Sequence, residues 1–361
     1  MSSPRVLYNY LGNSGLKVSN ICLGTMTFGQ IPNGRPSNIN EQDSHAVMDK
    51  YAEMGGNFLD TADIYQTGLS EQIVGTWLKK QDRGKYVVAT KVRGSMDPSN
   101  PNAVGLSRKH IMSSIEKSLE RLQTDYVDLY QIHVWDSGTP LDETLLALND
   151  LVRAGKVRYL GASNICGWQL QKIADYSKFM GLNRWVSLQQ HYCLLNRESE
   201  FDVFDVCAQE GVGIIPWSPL KGGLLSGKYK RDAQVNTSSR LAWVAEDAKL
   251  RGKYAQSHPT LQKFFDSDQF WKILGVVEDV AKEQGRSAAQ VSLKWLLQQK
   301  NVPSVIIGAT NIKQLEENMA AGEDWNLTPE QLGALNAVSD IEYPYPFETI
   351  VGRNADRVRK Q

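Results

Sequence analysis

Eight short runs, each mostly apolar on both faces and separated by helical patterns, restrict the fold of this chain more than any other feature. They occupy residues 21–24, 57–60, 86–91, 127–133, 157–163, 187–190, 213–217 and 304–308. A strand that is apolar on both faces reads as a parallel strand covered on each side. Between the runs lie amphipathic helical stretches at 41–54, 70–80, 107–122, 140–154, 168–180, 198–210 and 312–321. Ser107 and Ser287 are suited to cap helices, the latter with Gln290 in a capping box. Eight strands with intervening helices predict a (β/α)8 TIM barrel. An open doubly wound sheet is the alternative, but no GxGxxG follows the first run. Residues 8–18, with Gly12-Asn13-Ser14-Gly15 at their centre, predict a hairpin ahead of the barrel. The long polar stretch 231–267, after strand seven, reads as an insertion, and residues 341–361 as a tail. One domain is therefore expected, although 361 residues could also supply two.

Bulk properties narrow the function classes. Lysine plus arginine and aspartate plus glutamate both number 40, so no basic excess points to nucleic acid. The four cysteines form no CxxC pair and the five histidines no HxxxH pair, which argues against a disulfide framework or a metal site. No apolar run has signal-peptide or membrane-spanning length, so a cytoplasmic chain is expected.

In a TIM barrel the C-terminal strand ends converge on one mouth. Strand two ends in Asp60, with Tyr65 in the loop beyond; strand three ends in Lys91 and strand four in His133. A phenol titrates near 10, too high for easy proton exchange at neutral pH. A neighbouring ammonium favours the phenolate, and a carboxylate can hold that ammonium in place. An imidazole beside them can orient a carbonyl oxygen. Taken singly, each residue has an ordinary structural use as a cap, rim packing, snorkelling lysine or core histidine. Their convergence from three successive strands points instead to a proton donor aimed at a carbonyl. His191 competes with His133 but lies further past its strand.

These residues, with "GNFLDTADIYQTGLSE", "VVATKV" and "DLYQIHVWD", resemble the signatures of the aldo-keto reductases. The similarity runs from the hairpin to about residue 340, and "WSPLKGGLLSGKY" resembles the branch containing potassium-channel β-subunits and bacterial stress-type reductases. The resemblance implies an NADPH-dependent reductase of aldehydes or ketones, with Asp60, Tyr65, Lys91 and His133 as its catalytic tetrad. The competing reading is a channel-β-subunit-like regulatory protein that binds cofactor with little turnover. A sugar-phosphate isomerase on the same fold has no residue in its favour.

Hydride chemistry requires a nicotinamide in the same mouth. Ser163, Asn164 and Gln189 suit its carboxamide, and Trp217 its ring. Thr25, Met26 and Asp60 are counted with them. Ser218, Leu220 and Gly222 belong to a glycine-containing loop able to turn backbone N–H groups toward a pyrophosphate. By resemblance, Gly308 and Thr310 serve the adenosine phosphate region, and Gln314, Glu317 and Asn318 the adenosine end. Many relatives carry an arginine where this chain has Gln314. Lys228 and Arg240 match the cations that the nearer branch uses for a 2′-phosphate, so NADPH is expected over NADH. Phe28, Trp135 and Tyr192, together with Met26, are expected to line the substrate mouth. Arg93 and Arg197 are the cations able to reach it, Arg93 for an acidic or uronate-type aldehyde. The small-molecule carbonyl is the expected partner, and the oligomeric state is left open.

Overall fold

The computed structural model describes residues 6–31, 38–231, 261–354 and 357. Strands β1 (Tyr8–Tyr10) and β2 (Lys17–Ser19) form an antiparallel hairpin. The barrel strands are β3 (Ile21–Gly24), β4 (Phe58–Asp60), β5 (Val87–Val92), β6 (Val127–Ile132), β7 (Val157–Ser163), β8 (Trp185–His191), β9 (Gly213–Trp217) and β10 (Val305–Ile307). All eight are parallel and follow the order β10-β3-β4-β5-β6-β7-β8-β9. Because β10 returns to lie beside β9, the sheet curls into a nearly closed (β/α)8 barrel.

Helices α1 (Glu41–Glu53), α2 (Leu69–Leu78), α3 (Arg108–Leu122), α4 (Leu141–Arg153), α5 (Gly167–Phe179) and α6 (Val203–Glu210) alternate with the strands. Capping chemistry sets their starts. Asn40 and Ser107 accept the third backbone N–H of α1 and α3. The pattern at 198–210 divides: Glu198–Glu200 forms one 3-10 turn and α6 begins only at Val203. The break sits where Asp202 leaves helical geometry and accepts the Gly167 N–H at 2.9 Å.

Of the expected insertion at 231–267, only Arg231 and residues 261–267 are described, including the short helix α7 (Leu261–Phe265). Two helices then follow that the eight-unit pattern did not separate: α8 (Asp268–Gln284) and α9 (Ala288–Leu297), the latter with the anticipated Ser287–Gln290 capping box. After β10 come α10 (Ile312–Met319), α11 (Pro329–Val338) and α12 (Phe347–Asn354). No described helix is long and apolar enough to cross a membrane.

Two apolar layers organise the interior. The larger lies between the strands and the surrounding helices and includes Tyr51, Trp77, Ile115, Leu148 and Trp295. The smaller fills the barrel beneath the mouth: Cys22, Phe58, Ala89, Leu129, Ile215 and Ile306 meet Leu11 and Val18 of the hairpin. Leu11 and Val18 are fully buried, so the hairpin closes the N-terminal end of the barrel. Gly12 permits this approach. A Cβ there would lie 2.3 Å from the Val186 carbonyl oxygen, and its φ of +54° suits glycine.

Candidate active site

Pairing register brings the polar strand ends together. Asp60 pairs with Ala89, and Lys91 lies two residues further along β5, on the same face. Lys91 is fully buried, and its Nζ donates to Asp60 Oδ1 at 2.5 Å, the Thr61 carbonyl at 2.7 Å and the Tyr65 hydroxyl at 3.2 Å. The loop delivers Tyr65 by a sharp reversal, with Gln66 and Thr67 at positive φ. His133 follows β6 with its ring edge-on to Tyr65, centroids 5.8 Å apart at 77°. Asp60, Tyr65, Lys91 and His133 therefore form one cluster.

The electrostatics suit proton delivery. Burial alone lowers the Lys91 pKa, but attraction to Asp60 and Tyr65 outweighs it, so the ammonium is held charged. Burial, aided by Lys91 and Arg93, drives the His133 pKa down to about 3. The imidazole is neutral across the working range. Asp63, between Asp60 and Tyr65, is buried too, yet neither of its carboxyl oxygens has a hydrogen-bond partner among the described residues. Burial and the nearby Glu71 push its pKa up to about 8.

One buried residue of this cluster escaped the sequence reading. Gln131 of β6 is fully buried and donates from Nε2 to Asp60 Oδ2 at 3.1 Å. The available signal was an amide in the buried, C-terminal half of a strand whose other clearly polar residue, Asp128, lies near its start.

The cofactor candidates lie around the ends of β7 to β10. Asn164 Nδ2 donates to the His133 carbonyl and to Ser163 Oγ, both at 2.9 Å, while its Oδ1 accepts from Trp217 Nε1 at 3.2 Å. This amide is thus committed to framing the site. Gln189 Nε2 is engaged by Asp60 at 2.8 Å, which leaves its Oε1 to accept from a carboxamide. His191 stacks on Trp217 at 4.3 Å, and the partly exposed indole keeps ring surface for a flat group. His191 thereby buttresses Trp217 and stands apart from the Asp60–Tyr65–Lys91–His133 cluster.

Beyond β9, the turn Lys221–Ser226 has Gly222 and Gly223 at positive φ. Ser218 and Leu220 enter this turn. The Lys228 ammonium lies over it, 3.7 Å from where a Gly223 Cβ would stand. Past β10, Gln314 Oε1 accepts from the Thr310 N–H and hydroxyl, and Asn318 Nδ2 reaches the Gly308 carbonyl at 3.4 Å. Glu317 is exposed on α10. Arg240 lies outside the described residues. An amide–hydroxyl set, an indole face, a glycine turn and a helix N-terminus on one mouth fit a nicotinamide dinucleotide.

Backbone strain concentrates here as well. Six of the eight described non-glycine residues at positive φ follow barrel strand ends: Gln66, Thr67, Arg93, Asn164, Ser218 and Lys221. Such conformations persist where surrounding contacts hold them, and they gather at functional sites.

The substrate expectations need correction. Phe28 is fully buried in the outer core. Tyr192 is 2% exposed, packs on Phe204 and Trp295, and donates to Glu200 at 2.6 Å. Trp135 is engaged edge-on by Trp168 and shares a small cavity with Leu141, Ile173 and Trp185 at the α4–α5 layer. The Thr25 hydroxyl is buried against Ser70 Oγ and the Asp60 carbonyl, so its side chain braces the Asp60 backbone. Met26 is partly buried, and its carbonyl accepts from Gln66 at 3.2 Å. Arg197 is tied twice to Glu200, at 2.7 and 2.9 Å, and is structural. Arg93 differs from all of these: it is half-buried at φ +140°, and its buried Nε has no partner among the described residues.

Comparison with known proteins identifies the family. Residues 20–340 match the model of the Aldo/keto reductase family. An uncharacterized oxidoreductase, YrpG, of Bacillus subtilis is 39% identical over 92% of this chain and 95% of its own length. The versiconal hemiacetal acetate reductase of Aspergillus parasiticus is 33% identical over 94% and 96%. A norsolorinic acid reductase of Emericella nidulans is 31% identical over 85% and 75%. The chain belongs to the aldo/keto reductase family, whose members are NAD(P)H-dependent oxidoreductases.

Proposed function

We propose that this reductase converts aldehydes or ketones to alcohols with NADPH, Tyr65 delivering the proton. The observation that carries the reading is the buried Lys91 Nζ, which holds Asp60 on one side and the Tyr65 hydroxyl on the other. Ser163, Gln189 and Trp217, framed by Asn164, would hold a nicotinamide, which when bound would supply the hydride for the carbonyl carbon. The chain's own residues handle the oxygen. As it takes on negative charge, the neutral His133 ring orients it and the Tyr65 O–H protonates it. The resulting phenolate faces the Lys91 ammonium, whose position Asp60 fixes.

Tyr65→Phe removes that proton donor and little else. The expected loss in kcat is about 10²–10⁴-fold, with NADPH binding by nicotinamide fluorescence nearly unchanged. Near-normal turnover in a folded variant would remove Tyr65 from the role.

Lys228 over the glycine turn supports NADPH over NADH, because a charge-assisted contact to the 2′-phosphate has no counterpart in NADH. Lys228→Ala, and likewise Arg240→Ala, should weaken NADPH binding more than NADH binding. Equal losses would place the preference elsewhere.

Arg93, with a buried Nε lacking a partner beside His133, favours substrates bearing a carboxylate, such as small oxo-acids or uronate-type aldehydes. The test compares kcat/KM for an acidic aldehyde and its neutral analogue in wild type and Arg93→Ala. An advantage for the acid that survives the substitution rules this selectivity out.

A further inference from the structure

Asp60 binds Lys91 through one carboxylate oxygen and two amides through the other. Oδ2 accepts from Gln131 Nε2 at 3.1 Å and from Gln189 Nε2 at 2.8 Å. The two amides also meet each other, since Gln189 Nε2 lies 3.3 Å from Gln131 Oε1. All three residues are buried in the barrel interior, Gln131 completely. A triangle of polar groups therefore joins β4, β6 and β8 across the barrel.

The intervening strand makes room for it. Gln131 pairs with Gly161 on β7, and Gly161 pairs with Ser187 on β8. A Cβ on Gly161 would lie 3.1 Å from Gln131 Cγ and 2.3 Å from Ser187 Oγ. With only hydrogen there, the glutamine side chain passes β7 and reaches β8.

We infer that Gln131 is a positioning residue that couples the carboxamide-binding Gln189 to the Asp60–Lys91 pair, so that cofactor seating and proton delivery share one hydrogen-bonded support. This rests on the tetrad reading above. The amide suits the task because it both donates and accepts: Nε2 serves Asp60, and Oε1 receives Gln189. An apolar residue would pack there but do neither. It would leave the Asp60 carboxylate one donor short in a site where water cannot substitute.

Two variants of similar shape separate this role from simple packing. Gln131→Met removes donor and acceptor together. It should lower kcat about 10- to 100-fold, the worth of one hydrogen bond to a charged group, and weaken NADPH binding, with a smaller change in the carbonyl KM. Gln131→Glu keeps the acceptor but, when ionised, sets a second carboxylate against Asp60. Once protonated, its O–H can replace the lost amide donor. The activity of this variant relative to wild type should therefore rise as pH falls, while that of Gln131→Met stays flat.

The measurements are kcat and KM from pH 5 to 9, NADPH affinity by fluorescence, and thermal melts to establish folding. Wild-type kinetics in both variants would overturn the proposal. So would losses equal in the two variants at every pH, because packing alone would then explain them. Tyr65→Phe, assayed alongside, keeps the two ideas distinct. An inactive Tyr65→Phe beside normal Gln131 variants refutes the coupling alone, whereas an active Tyr65→Phe refutes the tetrad.

Discussion

The two ends of the barrel are built from the same eight strands and solve opposite problems. At the N-terminal end, Leu11 and Val18 join Phe58, Leu129, Ile215 and Ile306 in a wholly apolar floor. At the other end, Asp60, Lys91, Gln131 and Gln189 bury charge and amides that only mutual hydrogen bonds make tolerable. The floor is stabilising, and its residues are interchangeable within limits of volume. The mouth carries buried charge, positive-φ residues and, in Asp63, a buried carboxyl, while Asp60, Lys91, Gln131 and Gln189 each have specific polar partners. Stability and activity should therefore respond to different substitutions.

The sharpest way to break that comparison is Lys91→Met. Kcat should drop by about 10²–10⁴-fold, because the phenolate loses its ammonium and Asp60 its partner. A variant that retains more than a tenth of wild-type kcat would mean that Lys91 belongs to structure rather than to chemistry.

Leu11→Ala tests the opposite end. Removing a fully buried leucine side chain should cost about 2–5 kcal/mol in chemical denaturation. Steady-state kinetics at 25 °C should be unchanged. A fall in kcat without a fall in stability would show that the floor reaches the chemistry.

Asp63→Asn should stabilise the protein, an unusual result for a buried substitution. In the folded chain this carboxyl keeps its proton to about pH 8, whereas in the unfolded chain it releases it near 4. Between those values the folded state binds more protons, so this group's contribution to stability declines as pH rises. The amide removes that penalty. Its melting temperature should exceed wild type by on the order of 5 °C at pH 8, and the difference should vanish below about pH 4. An equal gain at both pH values would assign the effect to packing.

The smallest effect is an absence. With His133 titrating at about 3, the pH profile of kcat should carry no histidine step between pH 6 and 7. A step there that disappears in His133→Asn would show that the ring takes up a proton during turnover.

Legibility in the sequence followed the same division. All eight barrel strands were readable, most to within a residue or two, because burial on both faces leaves short, mostly apolar runs. Asp60, Lys91 and His133 were readable as polar interruptions at the ends of those runs, where the barrel leaves no choice of direction. Phe28 and Tyr192 were misread because they lie in connections without periodicity. There, sequence position does not say whether an aromatic ring turns into the mouth or outward beneath the helices. Helices α8 and α9 follow the polar stretch that read as an insertion, and only the Ser287 cap marked one start. Gln131 was legible as an oddity, but its meaning required the glycine on the neighbouring strand.

The hairpin beneath the barrel has a consequence for traffic. With Leu11 and Val18 plugging one end, the pocket among the described residues is a blind alley open at the opposite end. Dinucleotide, carbonyl compound and alcohol must all use that doorway, and whatever settles deepest is obstructed by whatever follows. A cofactor held at Gln189, as proposed, would enter ahead of its reaction partner and depart behind the product. Under that order, release through the one opening would count toward turnover alongside the proton and hydride exchanged inside.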